Sequence, residues 1–213
     1  MQAQGLFITF EGGEGTGKST QQRRLVAWFR ERGREVVTTR EPGGTPVAEA
    51  IRSILLDEDL EPDGLTELFL LQAARHDHVD HLIRPALERG AVVLSDRFAD
   101  SSTVYQGMVR RIGASVVRQL NILATGGLEP DLTLVLDMDP AEALGRAHGR
   151  NAADGEVDRL DNEPLQFHLA IRNAFLRLAE SLPERIRVVD ADGGEELVFE
   201  RLLAVVTEVL HDR

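Results

Sequence analysis

A parallel α/β sheet covered on both faces by helices is the fold this sequence predicts. Two observations carry that expectation. Short apolar, β-rich runs alternate with amphipathic stretches of helical period along the whole chain. The first of those runs leads directly into a glycine-rich turn and then a helical pattern. Strands separated by helices imply right-handed crossovers, and hence parallel pairing. No internal repeat, low-complexity tract or linker divides the 213 residues, so the chain is read as one domain, long enough to bury a full core with a helical layer on either side.

Leu6–Phe10, apolar but for Thr9, is the first strand and reads as buried. Lys18–Arg32 follows as a helix, with Leu25, Trp28 and Phe29 on one face and Gly33 as its stop. Glu35–Thr39 is the second strand. Val47–Leu56 is a short helix whose period turns Val47, Ile51, Ile54 and Leu55 inward. Leu65–Leu87 is a long helical stretch carrying Leu68, Leu71, Val79 and Leu82, kinked or broken at Pro85. Gly90 leads into the third strand, Ala91–Leu94, and helical stretches follow near Ser101–Val109 and Ala114–Ala124. Leu132–Leu136 is the fourth strand, and Asp139-Pro140 reads as an N-cap with proline at the first helical position. Gly149–Asp158 has no apolar period and is read as part of a mobile lid loop over about 146–160. Pro164–Leu182 is a helix with Phe167, Ile171, Phe175 and Leu178 on its face, Ile186–Val189 the fifth strand, and Leu197–Leu210 the last helix.

Composition narrows the function. The formal net charge of −12 gives a field of the wrong sign for a nucleic-acid or anionic-membrane binder. No apolar run approaches the roughly 20 residues that span a bilayer, and Met1–Gly5 lacks the basic and apolar segments of a signal peptide. The absence of cysteine excludes disulfides, thiolate metal sites and cysteine nucleophiles, and fits a reducing compartment; a cytoplasmic location is expected. A small anionic substrate remains open, provided local arginines and backbone amides overcome the global repulsion.

Gly12-Gly13-Glu14-Gly15-Thr16-Gly17-Lys18-Ser19 matches the phosphate-binding pattern G-x-x-x-x-G-K-[ST], with a strand before it and a helix after it. Its glycines let backbone N–H groups turn inward around phosphate oxygens, and the helix N-terminus adds partial positive charge. Lys18 reaches the terminal phosphates, and the Ser19 hydroxyl is a ligand for Mg²⁺. Lys18 is also the one lysine among 24 basic residues; arginine fills every other such position. A compact point charge is what a phosphate cradle needs and a planar guanidinium does not supply. The motif by itself says nucleotide phosphates and no more.

Ser95-Asp96-Arg97 closes the third strand at the edge where open α/β sheets bind ligands. Asp96 suits magnesium, directly or through water, and Arg97 a phosphate taken in bidentate fashion; a surface ion pair is the alternative. Arg146, Arg150 and Arg159 lie in and around the expected lid, where arginines close over a transferring phosphoryl group; a solvated charged loop is the alternative. Arg40-Glu41-Pro42-Gly43-Gly44-Thr45 permits close backbone approach but is equally an ordinary turn. Arg75, alone in mid-helix, reads as a surface residue. His76, His78 and His81 are not spaced to line one face and read as solvent-facing.

Taken together these segments resemble bacterial thymidylate kinases over essentially the whole length. The resemblance rests on Phe10-Glu11-Gly12 with Glu14 in the P-loop, Thr39-Arg40-Glu41-Pro42-Gly43-Gly44-Thr45, and Ala73-Ala74-Arg75. It rests equally on Asp96-Arg97-Phe98, on Ser101-Ser102-Thr103-Val104-Tyr105-Gln106-Gly107, on Pro130-Asp131-Leu132-Thr133 with Leu136-Asp137, and on Asp158-Arg159-Leu160-Asp161. It implies the P-loop nucleoside-monophosphate kinase fold, a parallel sheet in the order 2-3-1-4-5. It also implies a homodimer and the reaction ATP + dTMP → ADP + dTDP with Mg²⁺. By position, Gly12 to Thr20 would hold the ATP phosphates and Glu14 would approach the sugar hydroxyl and phosphate of dTMP. Arg97 would grip the acceptor phosphate, with Arg40, Pro42 and Ser101 in the same substrate set. Arg75 would bond the thymine edge, Ser102 and Gln106 the base or sugar, and Tyr105 would crowd the sugar 2′ position. Asp96 and Asp161 fall near metal or substrate.

The chain departs from the family pattern in two places. Glu14-Gly15-Thr16 carries no P-loop arginine, so that charge would come from Arg146 or Arg150 in the lid. The position that usually stacks a phenylalanine on thymine is Leu71, and Phe69 points elsewhere on the helix. The expected chemistry is direct in-line transfer to the dTMP phosphate, by positioning and electrostatics. The rivals are another small-molecule kinase on this fold, acting on dUMP or a different acceptor, and a P-loop switch ATPase that hydrolyses ATP without one.

Overall fold

The strand that carries the glycine-rich turn lies at the centre of the sheet. The computed structural model describes residues 4–57, 59–154 and 163–211, and over 148–154 the backbone alone. β1 (Leu6–Glu11) pairs in parallel with β3 (Val92–Asp96) on one side and β4 (Leu132–Asp137) on the other. β2 (Val36–Arg40) and β5 (Ile186–Asp190) form the edges, in the order β2-β3-β1-β4-β5 that the family resemblance implies. β1 is buried along its whole length, while the edge strand β2 is only partly so, as a parallel sheet covered on both faces requires.

Alternation along β1 divides the core between the two faces. Leu6, Ile8 and Phe10 meet Leu25 and Phe29 of α1 (Lys18–Glu31) and Val198, Leu202 and Val206 of α9 (Glu195–His211). Phe7 points the other way, onto Val93, Phe98, Val79 and Ile83. A third cluster joins Ile171, Phe175 and Leu178 of α8 (Leu165–Ser181) to Val104, Tyr105, Val135 and Ile186.

Local chemistry explains the helix starts. α2 (Pro46–Leu56) opens with Thr45, whose hydroxyl accepts from the Ala48 N–H, and with proline in its first turn. α3 (Gly64–His78) opens with Asp63, which accepts from the N–H groups of Leu65 and Thr66.

The long stretch read as one helix is three segments. After α3 comes a π-helical turn, Val79–Ile83, and then α4 (Arg84–Glu88). The Arg84 N–H reaches back to the Val79 carbonyl, and Pro85, which has no N–H to donate, follows in the first turn of α4. A short α5 (Ala99–Ser102) runs into a second π-helical segment, Thr103–Val109, ahead of α6 (Ala114–Thr125). β3 extends two residues past its expected end, to Asp96, because register with Thr9 and Phe10 of β1 holds Ser95 and Asp96 in the ladder. α7 (Pro140–Asp154) is helical through residues expected to begin the lid loop; Ala152 and Ala153 favour helix whether or not an apolar face is present. The remainder of that loop, 155–162, lies outside the described residues.

Two burial expectations are corrected. In α2, Ala48 and Leu55 face the core, while Val47 and Ile54 are 53% and 43% exposed; periodicity locates an apolar face but not the neighbour that covers it. His78 is not solvent-facing: it is fully buried, satisfied by partners far away in sequence.

Asp100 in α5 is clasped by Arg185 just ahead of β5. Arg185 donates to both carboxylate oxygens, at 2.7 and 3.0 Å, and Thr133 of β4 donates to one of them at 3.0 Å. The pair is mostly buried, so removing one partner strands the other charge. Asp100→Ala is expected to lower stability by about 3–5 kcal/mol, measured by urea denaturation.

Candidate active site

The glycine-rich turn crosses from β1 to α1 so closely over its neighbours that a side chain is excluded at Gly12 and Gly15. At Gly15 (φ +72°) a Cβ would lie 1.8 Å from the Ala143 carbonyl oxygen, and at Gly12 (φ +127°) 2.5 Å from that of Leu136. Gly17, in left-handed backbone, starts α1. Lys18 is buried, its ammonium donating to the Gly13 carbonyl at 2.7 Å and the Gly12 carbonyl at 3.3 Å. Burial and then the Arg97 guanidinium push its pKa down, against Glu14, Asp96 and Glu11. An anionic ligand in the cradle would add to the countercharge that Glu14, Asp96 and Glu11 supply.

β3 delivers Asp96 and Arg97 beside the turn. Asp96 accepts from the Ser19 hydroxyl at 3.2 Å, and its other carboxylate oxygen is buried with no partner among the described residues. A hydroxyl next to an orphaned carboxylate oxygen at a phosphate cradle is a donor set that fits Mg²⁺. Among the described residues no group of three or more His, Cys, Asp or Glu could hold a metal without help from a ligand. Arg97 has left-handed backbone (φ 67°) and donates to the Gly12 carbonyl, the Ser101 hydroxyl and Glu14. Its guanidinium carbon lies 5.3 Å from the centre of the Tyr105 ring. Burial works against the Arg97 charge, but Glu14, Tyr105, Asp96 and Glu11 outweigh it and hold the group well above its ordinary value. Burial likewise pushes the Tyr105 hydroxyl up.

Beneath these groups lies Glu11, the last residue of β1. Its carboxylate accepts from the N–H groups of Phe98 and Ser101 at 2.9 and 3.2 Å and from the Ser101 hydroxyl at 2.6 Å. Burial raises its pKa from 4.5 to about 7, with help from Asp100 and against Arg97 and those hydrogen bonds.

One cavity of 370 Å³ opens from this point toward α3. Of the residues singled out from sequence it is lined by Glu14, Gly15, Gly17, Lys18, Ser19, Thr20, Arg40, Pro42, Leu71, Arg75, Asp96, Arg97, Ser101, Ser102, Tyr105 and Gln106. Gly12, Gly13 and Thr16 lie on the far side of the turn, toward α7 and α8. Arg146 is exposed on α7; the side chain of Arg150, and Arg159 and Asp161 altogether, lie outside the described residues.

Arg75 is 2% exposed, not a surface residue. It donates to Glu41 at 2.8 Å, Asn121 at 2.8 Å, Ser102 at 3.0 Å and the Phe98 carbonyl at 3.3 Å. The other Glu41 oxygen lies 3.1 Å from His78, whose second ring nitrogen is 2.6 Å from the Thr39 hydroxyl. Gln106, also buried, donates its amide to Glu67 at 2.6 Å. Sequence reasoning missed Glu11, Glu41, Glu67, His78 and Asn121 as parts of the site. Glu11 and Glu41 stand inside the motifs Phe10-Glu11-Gly12 and Arg40-Glu41-Pro42, but the motifs by themselves give them no role; His78 reads from its spacing as solvent-facing, and nothing in the sequence points to Glu67 or Asn121.

A parallel sheet with a glycine-rich phosphate cradle, a cation set beside it and an adjoining cavity lined by buried polar groups defines a P-loop protein with room for a second ligand next to the nucleotide. A family profile described as Thymidylate kinase matches residues 10–202. A thymidylate kinase of Deinococcus radiodurans is 46% identical over 209 residues, covering 98% of this chain and 100% of that protein. One of Nitratidesulfovibrio vulgaris is 47% identical over 211 residues, covering 96% and 97%. The crystal structure of thymidylate kinase from Ehrlichia chaffeensis superposes with a TM-score of 0.77 at 31% identity, over 95% of this chain and 99% of that one. The chain belongs to the thymidylate kinase family.

Because the folded Glu11 carboxyl sits above its unfolded 4.5, the folded state holds the extra proton, and this group's contribution to stability is lost as pH rises through about 7. Relative to wild type, Glu11→Gln is therefore expected to gain about 3 kcal/mol of stability between pH 4.5 and 8, measured as urea midpoints across that range. Leu71→Phe is expected to lower the KM for dTMP about 2- to 10-fold by restoring a stacking ring, read from steady-state kinetics.

Proposed function

We propose that this protein transfers the γ-phosphoryl group of ATP to dTMP, giving ADP and dTDP, a step of dTTP synthesis. The observation that carries this reading is the adjacency of two sites: Lys18 in the phosphate cradle and Arg97 at the mouth of the cavity that ends in Arg75 and Gln106. A P-loop switch would need only the first of them. Membership of the thymidylate kinase family supports the acceptor's identity.

The chemistry asks for no protein nucleophile, because the acceptor phosphate oxygen already carries charge. Catalysis is positioning and charge neutralisation. Lys18 and the backbone amides of the glycine turn would hold the donor phosphates. Arg97, fixed by Glu14 and Ser101, would hold the acceptor phosphate in line. Arg40, Pro42, Ser101 and Ser102 would complete the acceptor cavity, with Leu71 over the base and Tyr105 against the sugar. Ser19 and Asp96 would hold Mg²⁺, which when bound neutralises charge on the donor's terminal phosphates. Arg146 or Arg150 on α7 would add charge over the transferring group, and Asp161 would lie near metal or substrate; closure of a lid there would exclude water.

A homodimer is part of the same proposal. α2 packs on α3 and α3 on α6, and these helices expose Val47, Ile54, Leu65, Phe69, Val116, Ile122 and Leu123, 43–77% accessible, an apolar flank of the kind subunits cover. No described helix is long and apolar enough to cross a membrane. A cytoplasmic location agrees with a chain that carries no cysteine.

The test is ADP release from Mg-ATP with dTMP, dUMP, dGMP, UMP, CMP, AMP or no acceptor. Strong stimulation by dTMP is expected; acceptor-independent hydrolysis would favour a switch ATPase, and activity with a different acceptor alone would discard thymidylate. In the same assay Lys18→Ala is expected to lose at least about a hundredfold in kcat with its circular dichroism unchanged.

A further inference from the structure

Gln106 and Glu67 form a contact whose chemistry fixes more than a distance. Gln106 comes from the second π-helical segment and Glu67 from the first turn of α3; both are buried and both line the cavity. The Gln106 amide nitrogen lies 2.6 Å from one Glu67 oxygen, and Arg110 lies 3.3 Å from the other. A carboxylate paired with an arginine accepts and does not donate, so the amide atom facing it is the –NH₂. The Gln106 carbonyl oxygen is thereby left as the acceptor available to the cavity. Arg75, at the same end, has only donors.

We infer that Glu67 is a positioning residue for base selection: by holding the Gln106 –NH₂ it leaves the pocket with a donor from Arg75 and an acceptor from Gln106. Thymine and uracil carry a carbonyl acceptor beside a ring N–H donor, which this pair complements. Cytosine carries an amino donor beside a ring-nitrogen acceptor, and meets like against like at both positions. Glu67 pairs with Gln106 and Arg110 at the α3 end of the cavity, so its effect belongs to recognition of the base edge. The inference rests on a pyrimidine monophosphate being the acceptor.

The experiment compares kcat/KM for dTMP, dUMP and dCMP in the wild-type full-length protein and in Glu67→Gln. In the variant Arg110 retains the new carbonyl oxygen and the new –NH₂ faces Gln106, which must turn its own oxygen inward and present –NH₂ to the base. The expected result is a fall of at least about tenfold in the dTMP:dCMP ratio, with the dTMP:dUMP ratio unchanged. General loosening of the fold would lower all three substrates alike, and that outcome, or an unchanged dTMP:dCMP ratio, overturns the inference. Gln106→Met, which leaves Glu67 paired with Arg110, is expected to lower the same ratio, and Glu67→Gln added to it to produce no further change; a further change also overturns the inference. Wild-type protein that does not use dTMP would defeat the parent reading instead, and the two failures are distinct.

Discussion

The Glu11 carboxylate is the contact on which the arrangement of the site depends. A carboxylate at the end of a fully buried strand needs compensation, and it finds it in the backbone N–H groups of Phe98 and Ser101 and the Ser101 hydroxyl. Those residues follow β3, so the bond ties the strand that launches the phosphate cradle to the segment that carries Arg97. The Arg97 N–H completes the tie by donating to the Phe10 carbonyl. Within this frame Arg97 occupies left-handed backbone at φ 67°, a conformation that costs energy for a non-glycine residue and that its surroundings therefore have to enforce. One buried acid thus ties the strand before the cradle to the segment that carries Arg97.

The electrostatics of the site run against those of the molecule. The chain carries a net charge of −12, yet the cavity gathers Lys18, Arg23, Arg40, Arg52, Arg75, Arg97 and Arg110 along its walls. Field lines in a cleft with low-dielectric walls are set by the nearest groups, and distant surface acids are screened within about 10 Å at ordinary ionic strength. Glu14, Asp96 and Glu67 interleave with the cations and keep them from repelling one another in the absence of ligand. The cavity is thus preorganised for an anion without carrying a large uncompensated charge.

At the α3 end of the cavity the design is a buried polar network with few loose ends. Arg75 commits four of its five N–H groups to Glu41, Asn121, Ser102 and a backbone carbonyl, Glu41 is shared with His78, and His78 with Thr39. Satisfied networks of this kind hold a side chain to one orientation, whereas a partly satisfied one leaves it free to rotate. The π-helical turn at Thr103–Val109 serves the same end: it carries Tyr105 and Gln106 as buried neighbours, a use to which π-turns at functional sites are often put.

By itself the sequence determined the strands, their alternation with helices, the phosphate cradle and the Asp-Arg pair, because each of these is a local pattern of a few residues whose physics does not wait for a partner. It did not determine that His78 is buried, that Arg75 is enclosed, that Glu41 and Asn121 hold Arg75 and Glu67 holds Gln106, or that Val47 and Ile54 of α2 face outward. Each of those depends on which element packs against which. Glu41 meets Arg75 across 34 positions and His78 across 37, and a charged residue in mid-helix looks the same in sequence whether solvent or a buried acid awaits it. Burial and hydrogen-bond satisfaction are properties of the assembled layers, and only the tertiary structure decided them.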